Sequence, residues 1–251
     1  MMTKVKTESE IAAMRESGRM LATVLQLLKS KTKPDMSTKD LANIAADELK
    51  RLGGEPAFLG YQGFPDVLCV SLNDEVVHGI PREDRMIHTC DIVSLDFGVK
   101  YKGMITDAAL SVIAGEASND DHRKLVAATE EAMYAGIKAV HDGVRTGDIG
   151  AAVQTVLQKQ EFGIVRDLVG HGVGHYLHED PNVPNYGYAG TGDEFKAGMT
   201  IAIEPMATLG GYKVYVAEDG WTILTQDGSW AAHFEHTVLI TPEGAEILTK
   251  I

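Results

Sequence analysis

The sequence predicts an α+β fold of two halves built on one plan, helix–helix–strand–strand, and three observations predict it. Residues 91–112, DIVSLDFGVKYKGMITDAALSV, alternate apolar with small or polar side chains at the period of a strand, interrupted by the polar break KYKG. Apolar residues recur at helical spacing in two segments ahead of this stretch and in two behind it. The order of elements then returns at a constant offset: Thr38-Lys39-Asp40-Leu41 matches Thr146-Gly147-Asp148-Ile149 in type, and the interval from Asp40 to Asp96 equals that from Asp148 to Glu204.

Taken in order, residues 8–29 place Ile11, Met14, Leu21, Val24, Leu25 and Leu28 on one helical stripe, ended by Lys33-Pro34-Asp35. Ser37 with Asp40 three later resembles a capping box and opens a second helix, which Gly53-Gly54 stops. Residues 55–81 are rich in glycine and aromatics, with a short strand at 67–72 and a turn at HGIP. The hairpin follows. Folded symmetrically about KYKG it sets Asp96 directly opposite Asp107, with Cβ atoms roughly 5 Å apart, where like charges repel unless a cation sits between them.

The second half predicts a helix over 120–142 and another from Thr146. The glycine-rich stretch VRDLVGHGVGHYLHEDP comes next, then the strand MTIAIEPM. The repeat calls for a second acid paired with Glu204. Glu235 is the candidate, although it lies much farther from Glu204 than Asp107 lies from Asp96. An inserted hairpin over 212–225, turning at Glu218-Asp219-Gly220, accounts for the excess, and FEHTVLI becomes the partner strand of MTIAIEPM. The four acids converge where the halves meet.

Four carboxylates in one pocket cannot all remain ionised without cations, and two divalent ions give each acid a role. His171, His175 and His178 are the candidates for a nitrogen ligand. The HxxxH spacing of the first two is not helical here, because Gly170, Gly172 and Gly174 surround it and no zincin glutamate follows. One histidine is expected to ligate, another to meet substrate and the third to do neither. A set dominated by oxygen donors suits Mn, Fe or Co at least as well as Zn. The net charge of −13 argues against nucleic acid, which needs a basic face. No apolar run reaches transmembrane length and the N-terminus has no apolar signal core. Cys69 and Cys90 lack paired spacing and read as reduced cytosolic thiols.

Five stretches in this order, SLNDEVVHGIP, DIVSLDFGV with MITDAA, GHGVGHYLHEDPNVPNYG, MTIAIEPM and FEHTVLIT, resemble the type I methionine aminopeptidases of the bacterial kind across residues 8–248. The resemblance implies the pita-bread α+β fold, with a metal site between two pseudo-twofold-related halves. It implies one catalytic domain over 1–251, with halves of about 1–115 and 116–251. By motif, Asp96, Asp107, His171, Glu204 and Glu235 correspond to the metal ligands. Asp107 and Glu235 would bridge two divalent ions drawn from Co, Mn, Fe, Ni or Zn. His78 and His178 correspond to the substrate-contacting catalytic histidines and Glu204 to the proton acceptor, while Phe58, Tyr61, Phe64, Cys69 and Trp221 would form the methionine pocket. The implied activity is removal of N-terminal methionine from nascent polypeptides when the second residue is small, by a cytoplasmic monomer in transient association with the ribosome. The loop over 210–228 carries Lys213 against Glu218, Asp219 and Asp227, and offers no basic face for such docking. The short interval between His178 and Glu204 leaves no room for the helical insert of type II enzymes. An Xaa-Pro peptidase of the same fold would carry a large domain ahead of the first helices. A non-catalytic pita-bread binding protein would lack ligands that are all present here.

Overall fold

In the computed structural model, which describes residues 1–117 and 119–251, α1 spans Glu8–Lys31 and α2 spans Thr38–Leu52. Both begin in reciprocal caps. Thr7 Oγ1 accepts from the Glu10 amide while Glu10 accepts from the Thr7 amide, and Ser37 and Asp40 do the same. Short strands β1 (Glu55–Pro56), β2 (Cys69–Leu72) and β3 (Glu75–Val77) lead to the long hairpin of β4 (Ile92–Tyr101) and β5 (Met104–Ile113). The second half repeats the plan with α3 (Asp120–Lys138), α4 (Thr146–Lys159), β6 (Gly163–Ile164), β7 (Gly170–Gly172), β8 (Glu179–Val183), β9 (Thr200–Ile203) and β10 (Met206–Thr208). The inserted hairpin is β11 (Val214–Val216) with β12 (Ile223–Thr225), and β13 (Ala231–His233), β14 (Glu235–Ile240) and β15 (Ala245–Ile247) close the chain. Helix α3 stops at Lys138 rather than running to Asp142, and Gly143 at φ 82° turns the chain away.

The hairpin register differs from the one predicted. The turn is Lys102-Gly103 alone, both with positive φ (49° and 82°), and Tyr101 pairs with Met104. Such two-residue turns, with positive φ at both positions, match the right-handed twist of the flanking strands. Asp96 therefore faces Ala109, and Asp107 faces Gly98. The two aspartates are diagonal neighbours on one face rather than a direct pair.

The repeat holds at the level of individual pairs. Glu55 and Pro56 of β1 pair with Lys100 and Val99, while Gly163 and Ile164 of β6 pair with Thr208 and Ala207, every member displaced by the offset that relates Asp40 to Asp148. On that alignment β4 corresponds to β9 and β10 together, and Asp96 to Glu204. β5 corresponds to β13 and β14, but at a larger offset, because the inserted hairpin intervenes: Gly98 pairs with Asp107, and Met206 with His233. The counterpart of Asp107 is thus His233, not Glu235. Glu235 instead pairs with Ala109 across the central β5–β14 ladder, where the local twofold axis runs. The insertion is accordingly slightly shorter than an acid-for-acid match requires.

Two hydroxyl clasps tie the halves together about this axis. Thr237 Oγ1 accepts from the Asp107 amide (2.9 Å) and donates to the Asp107 carbonyl (2.8 Å). Ser111 Oγ accepts from the His233 amide and donates to its carbonyl, both at 2.9 Å. Ser111 and Thr237 are related by the same offset as Asp107 and His233. The main sheet runs β1-β4-β5-β14-β9-β7-β8, with β2 also on β4 and β15 on β14. One face carries the helices. Val93, Leu95, Phe97 and Val99 pack with Leu21, Leu25 and Leu28 of α1 and Leu41 and Leu49 of α2. Ile201, Ile203 and Val238 pack with Met133, Ile137 and Ile149 of the second helix pair. The alternate side chains of the same strands, Asp96 among them, face the other way.

Thr237→Val removes one clasp and leaves the buried Asp107 amide without its partner, so it is expected to cost about 1–3 kcal/mol of stability. Ser111→Ala is expected to do the same at His233. Urea unfolding measures both, and unchanged midpoints would contradict the clasp.

Candidate metal centre and substrate cavity

The side chains that β4, β5, β9 and β14 turn away from the helices gather at one cavity. It is lined by all five predicted ligands, Asp96, Asp107, His171, Glu204 and Glu235, and by His78 and His178. The predicted pocket residues Phe58, Tyr61, Phe64, Cys69 and Trp221 line it too, with Gln62 and Leu177 in addition. Sequence positions from 58 to 235 thus meet in one place.

β7 supplies His171. Its Nδ1 donates to the Gly172 carbonyl at 2.9 Å, which fixes the ring and leaves Nε2 as the free donor atom, 3.3 Å from Glu204 Oε1. One atom each of Asp107, His171 and Glu235 lies within 4.8 Å of the others, and so does one atom each of Glu204, His233 and Glu235. Among the described residues, the buried side-chain polar atoms without a hydrogen-bond partner are Asp96 Oδ1, Asp107 Oδ1, Glu235 Oε1 and both ring nitrogens of His233. Every one belongs to this cluster. Buried polar groups are otherwise almost always paired, so a set of lone pairs left open around one point fits divalent cations.

The electrostatics agree. Burial pushes Asp96 well above the carboxylate range, and the charges of Asp107 and Glu204 add to it. Burial pushes Asp107 up to about 7. Glu204 and Glu235 are raised by burial and then by Asp107. Among the described residues no lysine or arginine forms an ion pair with any of the four. Burial also holds His171 and His233 down to about 3, so both rings are neutral, the state in which an imidazole can ligate.

His178 sits on the loop after β7, its ring 4.3 Å from that of His171, and its Nδ1 is 2.9 Å from the Tyr61 hydroxyl. Glu179 fastens this loop: Oε1 accepts from the amides of His175 and Tyr176 (2.8 and 3.0 Å), and Oε2 meets the buried Lys6 at 3.2 Å. His175, the third histidine of the stretch, points elsewhere and bonds Glu10 of α1 at 2.8 Å. His78 has a left-handed backbone (φ 61°) and lies edge-on to Trp221, with centroids 6.3 Å apart. Burial lowers it to about 4.

The apolar side of the cavity is an aromatic chamber. Phe58 and Phe64 meet edge to face at 6.5 Å, and Phe64 and Trp221 at 5.2 Å, with Cys69 and Leu177 buried beside them. Gly98 makes room for it, since a Cβ there would lie 2.5 Å from the Phe58 ring. His233 lies outside the ligands expected from the sequence. The available signal was strand alternation, because His233 and Glu235 lie two apart and share one face.

Comparison with known proteins agrees with this geometry. Residues 12–242 match the model of metallopeptidase family M24. The chain is 45% identical over 246 residues to methionine aminopeptidase 1 of Bacillus subtilis, covering 98% of each. It is 43% identical to the methionine aminopeptidase of Mycoplasma capricolum, covering 99% of each. The crystal structure of methionine aminopeptidase from Thermotoga maritima superposes with a TM-score of 0.98 at 45% identity, each chain covered completely. A prolidase from Pyrococcus furiosus shares the fold alone, with a TM-score of 0.79 at 22% identity over 98% of this chain and 65% of that one. The chain belongs to metallopeptidase family M24, within it to the bacterial methionine aminopeptidases, and has their pita-bread fold.

The raised carboxylates set a pH dependence. The folded protein holds protons on these raised carboxyls that the unfolded chain releases near pH 4, so metal-free protein loses stability as pH rises through the value of about 7 at Asp107 and beyond it. Below about pH 7.5 the buried histidines oppose this, because the unfolded chain protonates them near pH 6.5 and the folded one does not; above it they are neutral in both states and add little slope. The metal-free melting temperature is therefore expected to fall from about pH 7.5 to 8.5, and Mn²⁺ to reduce the fall. A metal-free melting temperature that rises over this window would refute it.

Proposed function

We propose that this methionyl aminopeptidase removes N-terminal methionine from nascent proteins and peptides when the second residue is small, with two divalent cations held by Asp96, Asp107, His171, Glu204 and Glu235. The observation that carries the reading is the meeting, in one cavity, of unpartnered carboxylate oxygens with an aromatic chamber of methionine-like polarity. The oxygen-rich donor set suits Mn or Fe as well as Co, Ni or Zn. When bound, the cations supply Lewis acidity, acidifying water and polarising a carbonyl.

The chain's own residues do the rest. Phe58, Phe64, Cys69 and Trp221 take the methionine side chain out of water, and its thioether suits aromatic edges. Glu204 accepts the proton that the attacking water gives up. With Nδ1 of His178 accepting from the Tyr61 hydroxyl, Nε2 carries a proton to donate to the carbonyl oxygen as it gains charge. His78 holds the amide nitrogen of the second residue. The reading places the enzyme in the cytoplasm as a monomer acting on emerging chains. Any ribosome contact would avoid the loop over 210–228, where Lys213 is outnumbered by Glu218, Asp219 and Asp227.

Metal-loaded protein is expected to release methionine from Met-Ala-Ser and to leave Met-Lys-Ser nearly intact. No release with Mn, Fe, Co, Ni or Zn would sink the reading, and equal turnover of both peptides would sink its second-residue rule. His178→Ala is expected to keep its metals by elemental analysis while losing about 10²-fold in kcat. Loss of metal in that variant would place His178 among the ligands instead.

A further inference from the structure

His233 has no place in the chemistry above, yet its surroundings are those of a ligand. It is fully buried at 1% exposure, and neither ring nitrogen has a hydrogen-bond partner. Its backbone is clamped by Ser111 as the Asp107 backbone is clamped by Thr237. By register it occupies in the second half the position that Asp107 occupies in the first. A structural histidine in a core satisfies at least one nitrogen, and leaving both open costs free energy that a bound partner would recover.

The partner's chemistry follows from the neighbours. Glu204 stands between two imidazoles, with Oε1 3.3 Å from His171 Nε2 and Oε2 3.6 Å from His233 Nε2. The second separation is too long for a good hydrogen bond, but suits two donors that each sit about 2.0–2.2 Å from one cation. Glu235 adds a third donor, all three atoms lying within 4.8 Å of one another. We propose that His233 is a sixth metal ligand, holding a divalent cation together with Glu204 and Glu235. This triad meets the Asp107–His171–Glu235 triad at Glu235. Two neutral nitrogen donors, one from each triad, then serve the centre, which favours cations with affinity for imidazole over Mg²⁺ or Ca²⁺.

The inference rests on the metal-centre reading of the cavity, and one experiment separates the two. Full-length protein is titrated with Co²⁺ alone. Bound ions are counted by equilibrium dialysis, and contact-shifted, solvent-exchangeable imidazole N–H resonances are counted by paramagnetic proton NMR. The wild type, His171→Ala, His233→Ala and His233→Gln are compared, with thermal melting showing that each is folded. Two such resonances are expected in the wild type, one of them lost in each single-histidine variant. Both His233 variants should bind the weaker ion at least about tenfold less tightly. A wild type with one resonance, lost in His171→Ala and kept in both His233 variants, overturns the inference and leaves the metal centre standing. Unchanged Co²⁺ affinity in the His233 variants overturns it equally. A wild type that binds no Co²⁺ overturns the metal-centre reading itself. His233→Gln retains a polar side chain of similar length, so it decides the matter if His233→Ala does not fold.

Discussion

Mutual repulsion among four carboxyl groups in a water-poor space is the constraint on which the rest of the structure depends. Asp96, Asp107 and Glu235 are buried, Glu204 nearly so, and among the described residues no lysine or arginine pairs with them. A chain that only needed a stable core would fill this volume with apolar side chains, since burying unpaired charge is among the most costly things a fold can do. Free energy is given up here for a set of lone pairs directed at one place. The remaining architecture keeps that set from relaxing: long central strands, reciprocal hydroxyl clasps and close apolar packing on the helix face.

Precision at such a centre depends on what lies behind the donors. The His171 ring is held by a bond to the next carbonyl, and His178 by Tyr61 on one side and by a loop fastened to Glu179 on the other. Lys6 reaches Glu179 from the N-terminal segment, so residues distant in sequence help fix the loop that carries His178. The aromatic chamber depends in the same way on Gly98, whose missing side chain is Phe58's seat. These are properties of surroundings rather than of motifs, and they explain why the motif residues alone would not make the site.

Much of this was legible in the amino-acid order. Alternation around Asp96 and Asp107 marked the hairpin, glycines around His171 excluded a helix, and equal spacings from Asp40 to Asp96 and from Asp148 to Glu204 linked the halves. What was hidden lay in registers. The KYKG break admits more than one turn, and the tighter one moves Asp107 from facing Asp96 to facing Gly98. The inserted hairpin then changes the downstream offset, so an acid-for-acid match led to Glu235 while the strand ladder leads to His233. Residue type is a poor guide to symmetry where an aspartate in one half corresponds to a histidine in the other.

The position where Ala109 meets Glu235 has a consequence for how such a centre could arise. Were the two halves identical copies associating as a pair, whatever residue stood there would meet its own twin. Two glutamates would add a fifth carboxylate beside the other four, and two alanines would remove a donor that both triads share. Joining the copies into one chain frees the axial position to differ on its two sides. The covalent link therefore does more than raise local concentration. It permits a single carboxyl group to stand on a twofold axis.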